Sequence, residues 1–311
     1  MKVSIVLPLL DRRDLGWGAL ASAVGQQGRA GVEVIAVIGP EIAQREDRDP
    51  ELAALLGQAD VVLRFPQSGD VIANEILFYD AGCRRATGEL LFFMEGHTVL
   101  VPDAAQRIHA YFADHPEVAL AWAPRRNAQQ RRLGMLVGLH NDRHERRAEA
   151  KGVFTLGGNS VIRRTAFDAL GGFDPALLRF AETALAHHAS ARALPMGRID
   201  APLCTHHNDM SVAHWRALAW STGHAKFNYY QALAARGEDL GPHVRHPVYL
   251  LARRRGAAKA LLPILKVTTP VVLWVAMALV RRQPALASAS YVLALAGADI
   301  SGYCGARLAS R

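Results

Sequence analysis

The sequence predicts an α/β fold of Rossmann-like type, with a mostly parallel central sheet followed by C-terminal apolar helices. Three observations predict it. Short β-branched runs alternate with segments of helical spacing through residues 1–100. Those runs are continuously apolar rather than alternating, as expected of strands covered on both faces. Two longer apolar stretches then stand near the C-terminal end, at residues 261–280 and 285–298.

Residues 3–7 are the first run, stopped by Pro8, and residues 32–38 are the second, stopped by Gly39-Pro40. Between them Leu20, Ala21 and Val24 have helical spacing, so the first forty residues spell strand, helix, strand, the repeating unit of a parallel sheet. Residues 61–65 supply a third strand, residues 74–87 a helix and residues 90–94 a fourth strand. Pro102-Asp103 opens a helix that runs through Phe112, and residues 118–122 form a further strand. Weak periodicity and many Arg and Gln residues predict a mobile loop with a short helix over residues 125–151. Two glycine pairs, Gly157-Gly158 and Gly171-Gly172, flank a strand and a short helix.

The 311 residues are enough for one α/β domain, residues 1–230, and a basic linker with apolar helices, residues 231–311. A chain half apolar and 21% charged excludes a disordered or fibrous protein. The net charge is +8. Arg125, Arg126, Arg131, Arg132, Arg143, Arg146 and Arg147 lie in the middle, whereas Arg253, Arg254, Arg255, Lys259, Lys266, Arg281 and Arg282 surround the apolar stretches. The second placement favours a membrane surface over nucleic acid. Residues 261–280 are about the ~20 residues a bilayer crossing needs, although Pro263, Lys266 and Pro270 interrupt them. A membrane hairpin and a pair of helices lying in the interface both fit, and the hairpin is the expectation. Cys83, Cys204 and Cys304 are too scattered for a disulfide framework or a zinc knuckle, which points to a reducing compartment. Residues 1–8 lack the apolar length and cleavage site of a signal peptide and read as a buried strand.

In open parallel sheets, ligands bind beyond the carboxyl ends of the strands. That rule singles out residues 8–12, 39–41, 66–70 and 95–98.

The order of these segments resembles the family 2 glycosyltransferases, which have the GT-A fold of nucleotide-diphospho-sugar transferases. The opening strand through Pro8, the helix with Ala23-Val24-Gly25-Gln26-Gln27, and the strand Glu33-Val34-Ile35-Ala36-Val37 come in the family's order. So do Asn74, Ala81, Ala86-Thr87-Gly88-Glu89 before a hydrophobic strand, and Gly171-Gly172-Phe173-Asp174 before Glu182. The resemblance covers roughly residues 1–225.

It implies a nucleotide-diphospho-sugar donor held by Pro8, Leu9, Glu41, Asn74 and Glu95, with a divalent cation, Mn²⁺ or Mg²⁺, at the diphosphate. The family's Asp-x-Asp motif after the fourth strand is here Glu95-Gly96-His97, so Glu95 and His97 become the candidate metal ligands. A carboxylate and an imidazole both suit a borderline cation. A late histidine of the family falls at Cys204-Thr205-His206-His207, and His206 is the candidate from that pair. The family's base follows Gly-Gly-Phe-Asp as Glu-Asp; here Glu182-Thr183 lacks the second carboxylate, leaving Glu182, with Asp174 as the substitute. After the second strand Gly39-Pro40-Glu41 stands where the family often has an Asp at the nucleoside, and Glu41 is the candidate to cover that role from a shifted position. Arg143, Arg146 and Arg147 offer guanidinium groups to a diphosphate or an anionic lipid, against the plainer reading of a solvated basic segment.

The activity so implied is inverting transfer of a sugar to a lipid-linked or cell-envelope glycan acceptor, at the cytoplasmic face of the cell membrane. A silent relative that kept the fold while its acidic motifs drifted is the alternative. A nucleotidyltransferase would carry a glycine-rich loop after the first strand, and Pro8-Leu9-Leu10-Asp11-Arg12-Arg13 has no glycine.

Overall fold

In the computed structural model the chain is described at residues 1–10, 17–66, 71–150, 157–174, 177, 180–207, 209–237, 252 and 254–310, without the side chains of residues 29, 71–74, 144 and 147–150. Its strands are β1 (Val3–Leu9), β2 (Val32–Ile38), β3 (Val61–Arg64), β4 (Leu90–Phe93), β5 (Thr98–Leu100), β6 (Leu120–Trp122), β7 (Arg125–Asn127), β8 (Ser160–Arg163), β9 (Met196–Arg198) and β10 (Cys204–His206). Among the described residues they form a seven-stranded sheet, ordered β3-β2-β1-β4-β8-β6-β9, and a three-stranded sheet, β5-β10-β7. The larger sheet is parallel from β3 through β4 and between β6 and β9; β8 runs antiparallel to both its neighbours. The mostly parallel α/β sheet expected from the sequence is what forms.

Every residue of β1 and β2 is buried, which is why both read as unbroken apolar runs. β1 continues through Pro8 to Leu9 instead of ending at Leu7. Proline has no N–H for a ladder, but pairing to β4 ends at Val6↔Phe93, so at Pro8 only the β2 side is still paired. Val3, Ile5, Leu7 and Leu9 enter one core with Leu20, Val34, Ala36, Ile38, Phe92 and Ile108. The helices α1 (Gly18–Val24), α2 (Pro40–Glu46), α3 (Pro50–Leu56), α4 (Val71–Arg85) and α5 (Ala104–Asp114) make the crossovers between these strands and on to the later ones.

A buried carboxylate ties β1, β2 and the turn after α4 together. Glu33 accepts from the Ser4 hydroxyl at 2.5 Å, from the Thr87 N–H and hydroxyl at 2.7 Å each, and from Lys2 Nζ at 3.2 Å. Burial pushes its pKa up, but these donors outweigh burial and hold it at about 2. The Ala86-Thr87-Gly88 stretch therefore serves the fold locally, and its Gly88 N–H also donates to Ser4 Oγ, at 2.8 Å.

The chain groups into two units. The first contains residues 1–128, 148–176 and 181–207; the second contains residues 129–147, 177–180 and 208–311, and so draws on chain before residue 230 as well as after it. The expected loop at 125–151 is instead β7 followed by α6 (Arg132–Ala150). Leu133, Leu136 and Val137 recur at helical spacing and are buried with Met210 and Trp215. The Asp209 carboxylate accepts from the Gln130 and Arg131 N–H groups, at 2.9 and 3.1 Å. That anchor lies 78 residues along the chain from Arg131, beyond any local pattern.

After β8 come α7 (Arg164–Leu170) and α8 (Ala181–Ala191). In the second unit, α9 (Val212–Ala235), α10 (Arg255–Leu279) and α11 (Pro284–Ala309) pack together, and Trp215 Nε1 donates to the buried Tyr291 hydroxyl at 2.9 Å. α10 and α11 are long and apolar enough to cross a membrane by length and composition, and α10 keeps Pro263 and Pro270 inside it.

Candidate metal and donor site

The site forms where β4 ends. Met94 N–H still donates to Val6 O at 3.1 Å, and the chain then turns sharply, with the Thr98 N–H and hydroxyl both donating to Glu95 O, at 3.0 and 2.8 Å. This turn holds Glu95 at the sheet end and delivers His97 to the start of β5. β5 pairs antiparallel with β10, Thr98 facing His206, and His207 N–H donates to His97 O at 3.0 Å. Sheet register, rather than proximity in sequence, sets the two histidines side by side.

Their Nε2 atoms face one another at 2.8 Å, and Glu95 Oε2 stands 3.3 Å from that of His97 and 3.6 Å from that of His206. Both rings are buried, at 7% and 2% exposure, while Glu95 is partly open. Among the described residues these three form a group whose ligand atoms all lie within 4.8 Å. A point about 2.0–2.2 Å from all three atoms exists just off the plane of this triangle, the bond length of a transition-metal ion to imidazole or carboxylate. The donor set therefore fits a divalent cation.

The surroundings support that use. β10 pairs with β7 so that His206 lies opposite Asn127 and Cys204 opposite Arg125. Residues two apart share a strand face, so Arg125 and Asn127 lie on one face. The amide oxygen of Asn127 lies 3.3 Å from His206 Nδ1 and can only accept; Nδ1 thus carries the proton and Nε2 its lone pair. Arg125 Nη1 reaches Glu95 Oε2 at 3.5 Å. A Cβ on Gly158 would lie 2.1 Å from Glu95 Cγ, so only glycine lets the carboxylate lie there. The next residue, Asn159, is buried with a positive φ of 87° and donates its amide to the carbonyls of Ala123 and Pro124. Such a backbone in a non-glycine residue is strained, and strain gathers at functional sites.

The other sequence-predicted residues lie as follows. Pro8 and Leu9 are buried in β1; Leu9 points into the core, so what it can offer a ligand is backbone. A Cβ on Gly96 would sit 3.0 Å from Pro8 O, which brings the end of β1 against the Glu95 turn. Glu41 is exposed in the first turn of α2. Asn74 has its backbone in α4, and its side chain lies outside the described residues. Asp174 is half-buried after Phe173, and Glu182 is half-buried in the first turn of α8, where a carboxylate also suits the helix dipole. Arg143 donates to Ser288 Oγ at 2.7 Å within the second unit, and Arg146 is exposed there.

Tyr79 links two of these regions. Its ring packs edge-on against Phe93 at 5.5 Å and beside Phe173 at 6.3 Å, near the two segments that lead to Glu95 and Asp174. Its buried hydroxyl has no hydrogen-bond partner among the described residues. Burial pushes its pKa well up, and the carboxylates of Glu75, Glu95 and Glu182 push it further. Arg125, Asn127, Gly158, Asn159 and Tyr79 were not assigned to the site from sequence. The signals were present but faint: a basic and an amide residue two apart, and a Gly-Asn turn before a strand.

No family model matches the chain, and no curated protein sequence does. Solved structures do. The mannosyltransferase PcManGT from Pyrobaculum calidifontis, in complex with GDP-Man and Mn²⁺, is similar at a TM-score of 0.59 and 17% identity, over 97% of this chain and 86% of that one. S. aureus TarS 1-349 in complex with UDP-GlcNAc is similar at 0.51 and 12%, over 99% and 90%. Glucosyl-3-phosphoglycerate synthase from Mycobacterium tuberculosis, with Mn²⁺, UDP and phosphoglyceric acid, is similar at 0.52 and 14%, over 77% and 80%. At such identities the likeness is one of fold, and the fold this chain shares with them is the GT-A fold of the nucleotide-sugar glycosyltransferases.

Proposed function

We propose that this chain is a metal-dependent glycosyltransferase that moves a sugar, with inversion, from a nucleotide-diphospho-sugar to a lipid-linked or cell-envelope glycan acceptor at the cytoplasmic face of the cell membrane. The observation that carries the reading is the triangle of Glu95, His97 and His206 at the carboxyl end of β4. In an open α/β sheet that is where ligands bind, and two of the structures named above contain Mn²⁺ together with a nucleotide or nucleotide-sugar.

A cation held by these residues would neutralise diphosphate oxygens and so help the nucleoside diphosphate leave. The chain's own groups supply the rest. Arg125, already against Glu95, offers a guanidinium to phosphate oxygens. Asn127 holds the His206 ring in the tautomer that presents Nε2. Glu182 takes the proton of the acceptor hydroxyl as it attacks the anomeric carbon, with Asp174 as its substitute. The exposed basic and apolar faces of α10 and α11 suit a membrane surface, where a lipid-anchored acceptor is locally concentrated.

The deciding experiment incubates the full chain with a panel of nucleotide-sugars plus Mn²⁺ or Mg²⁺ and reads release of nucleoside diphosphate, with chelator and Glu95→Ala controls. Release that needs both cation and Glu95 supports a working transferase. Folded protein that neither binds nor turns over any donor, with membrane extract as acceptor source, favours a silent relative, in line with the missing Asp-x-Asp motif and with Thr183 in place of a second carboxylate.

A further inference from the structure

We infer that α10 and α11 lie in the plane of one membrane interface, on anionic lipid, and do not cross the bilayer. This deepens the membrane placement proposed above and rests on it. The exposed side of α10 carries Ile264, Val267, Val271, Trp274 and Val275, and that of α11 carries Leu286, Val292 and Leu293, with exposures from 36 to 70%. Water is a poor solvent for so continuous an apolar face, and faces of this kind mark interaction sites.

Charge names the occupant. No Asp or Glu occurs between Asp239 and Asp299, whereas Arg254, Arg255, Lys259, Lys266, Arg281 and Arg282 are all exposed on the same two helices and their borders. Cations alone around an apolar face match anionic headgroups around acyl chains. Lys266 sits among the apolar residues, and its long stem lets the ammonium reach the headgroups while its carbons stay buried.

One feature argues against a crossing. The C-terminal half of α11 is covered by protein. Residues 297–304 are buried, and α9 runs beside them, with Lys226 paired to Asp299, and Phe227 and Tyr230 on Tyr303. The outer face of α9 exposes His214, Arg216, Asn228 and Gln231. A crossing hairpin would carry those groups into hydrocarbon, where exposed polar groups are excluded.

The test uses the full chain in two arms. Flotation with vesicles of phosphatidylcholine, with and without phosphatidylglycerol, reads binding: the bound fraction should rise with the anionic lipid and fall with salt. Val271→Glu with Trp274→Glu should abolish binding at unchanged circular dichroism, and Arg281→Glu with Arg282→Glu should weaken it roughly tenfold or more. In the second arm, Arg254→Cys and Arg282→Cys proteins in sealed membrane vesicles meet a membrane-impermeant maleimide; the native cysteines, Cys83, Cys204 and Cys304, are buried. Labelling of both positions from the same face, without permeabilisation, supports the in-plane placement. Labelling of one only after permeabilisation overturns it in favour of a crossing. No binding to any vesicle overturns the membrane reading as a whole, while donor turnover remains a separate measurement.

Discussion

The Nε2 atoms of His97 and His206 face each other at 2.8 Å across the β5–β10 pair, although 109 residues separate them in the chain. A cation would take both Nε2 lone pairs at once, with Glu95 as the third ligand. Mn²⁺ should therefore raise the thermal midpoint, by about 2.7 kcal/mol of stability at a hundredfold excess over Kd. Imidazole-rich sites suit Mn²⁺ better than Mg²⁺, which prefers oxygen ligands, so Mg²⁺ should give the smaller shift. His206→Ala should remove the Mn²⁺ effect, and Asn127→Ala should weaken Mn²⁺ binding by roughly 10–100-fold, as loss of an outer-shell partner does. An Mn²⁺ shift that survives His206→Ala would refute the site.

Gly158→Ala should disable the same site from the outside. Its new methyl would lie 2.1 Å from Glu95 Cγ, so Glu95 must swing away from the histidines. The expected result is lost Mn²⁺ response with a far-ultraviolet spectrum like wild type, and a normal Mn²⁺ response would show that Glu95 is dispensable.

Glu182 and Asp174 are separable by kinetics. Glu182→Gln should lower kcat by roughly 10²–10⁴-fold, the range general-base catalysis contributes, with little change in donor KM. Asp174→Asn should leave kcat within a few-fold. The reverse pattern would assign the base to Asp174.

The Tyr79 hydroxyl is buried without a partner among the described residues, so Tyr79→Phe should leave stability unchanged or raise it by about 1 kcal/mol, since it removes an unsatisfied group. Chemical denaturation of both proteins measures this. A clear loss of stability would mean that the hydroxyl has a buried water or ligand partner.

Acid should act through Glu33. Its folded pKa is held from 4.5 down to about 2, so its contribution is fully present above pH 4.5 and is lost as the pH falls toward 2. That contribution is on the order of 3 kcal/mol. Glu33→Gln should therefore cost most of this at pH 7 and little at pH 2. A cost that does not change with pH would remove Glu33 from the account.

By itself the sequence determined the alternation of strand and helix. β1 and β2 are continuous apolar runs because both of their faces are covered, and burial of that kind is written residue by residue. It also determined which residue types stand at the end of β4, because Glu95 and His97 follow that strand directly. Only the tertiary structure decided what those residues meet. His206 reaches His97 through the register of a three-stranded sheet, and Arg125 and Asn127 join through β7, a three-residue strand too short to show a period. α6 is held at its start by Asp209, and the Glu95 carboxylate is given its room by Gly158. Local patterns record how one segment is buried; contacts made across a hundred residues depend on register and close approach, which no local window of sequence contains.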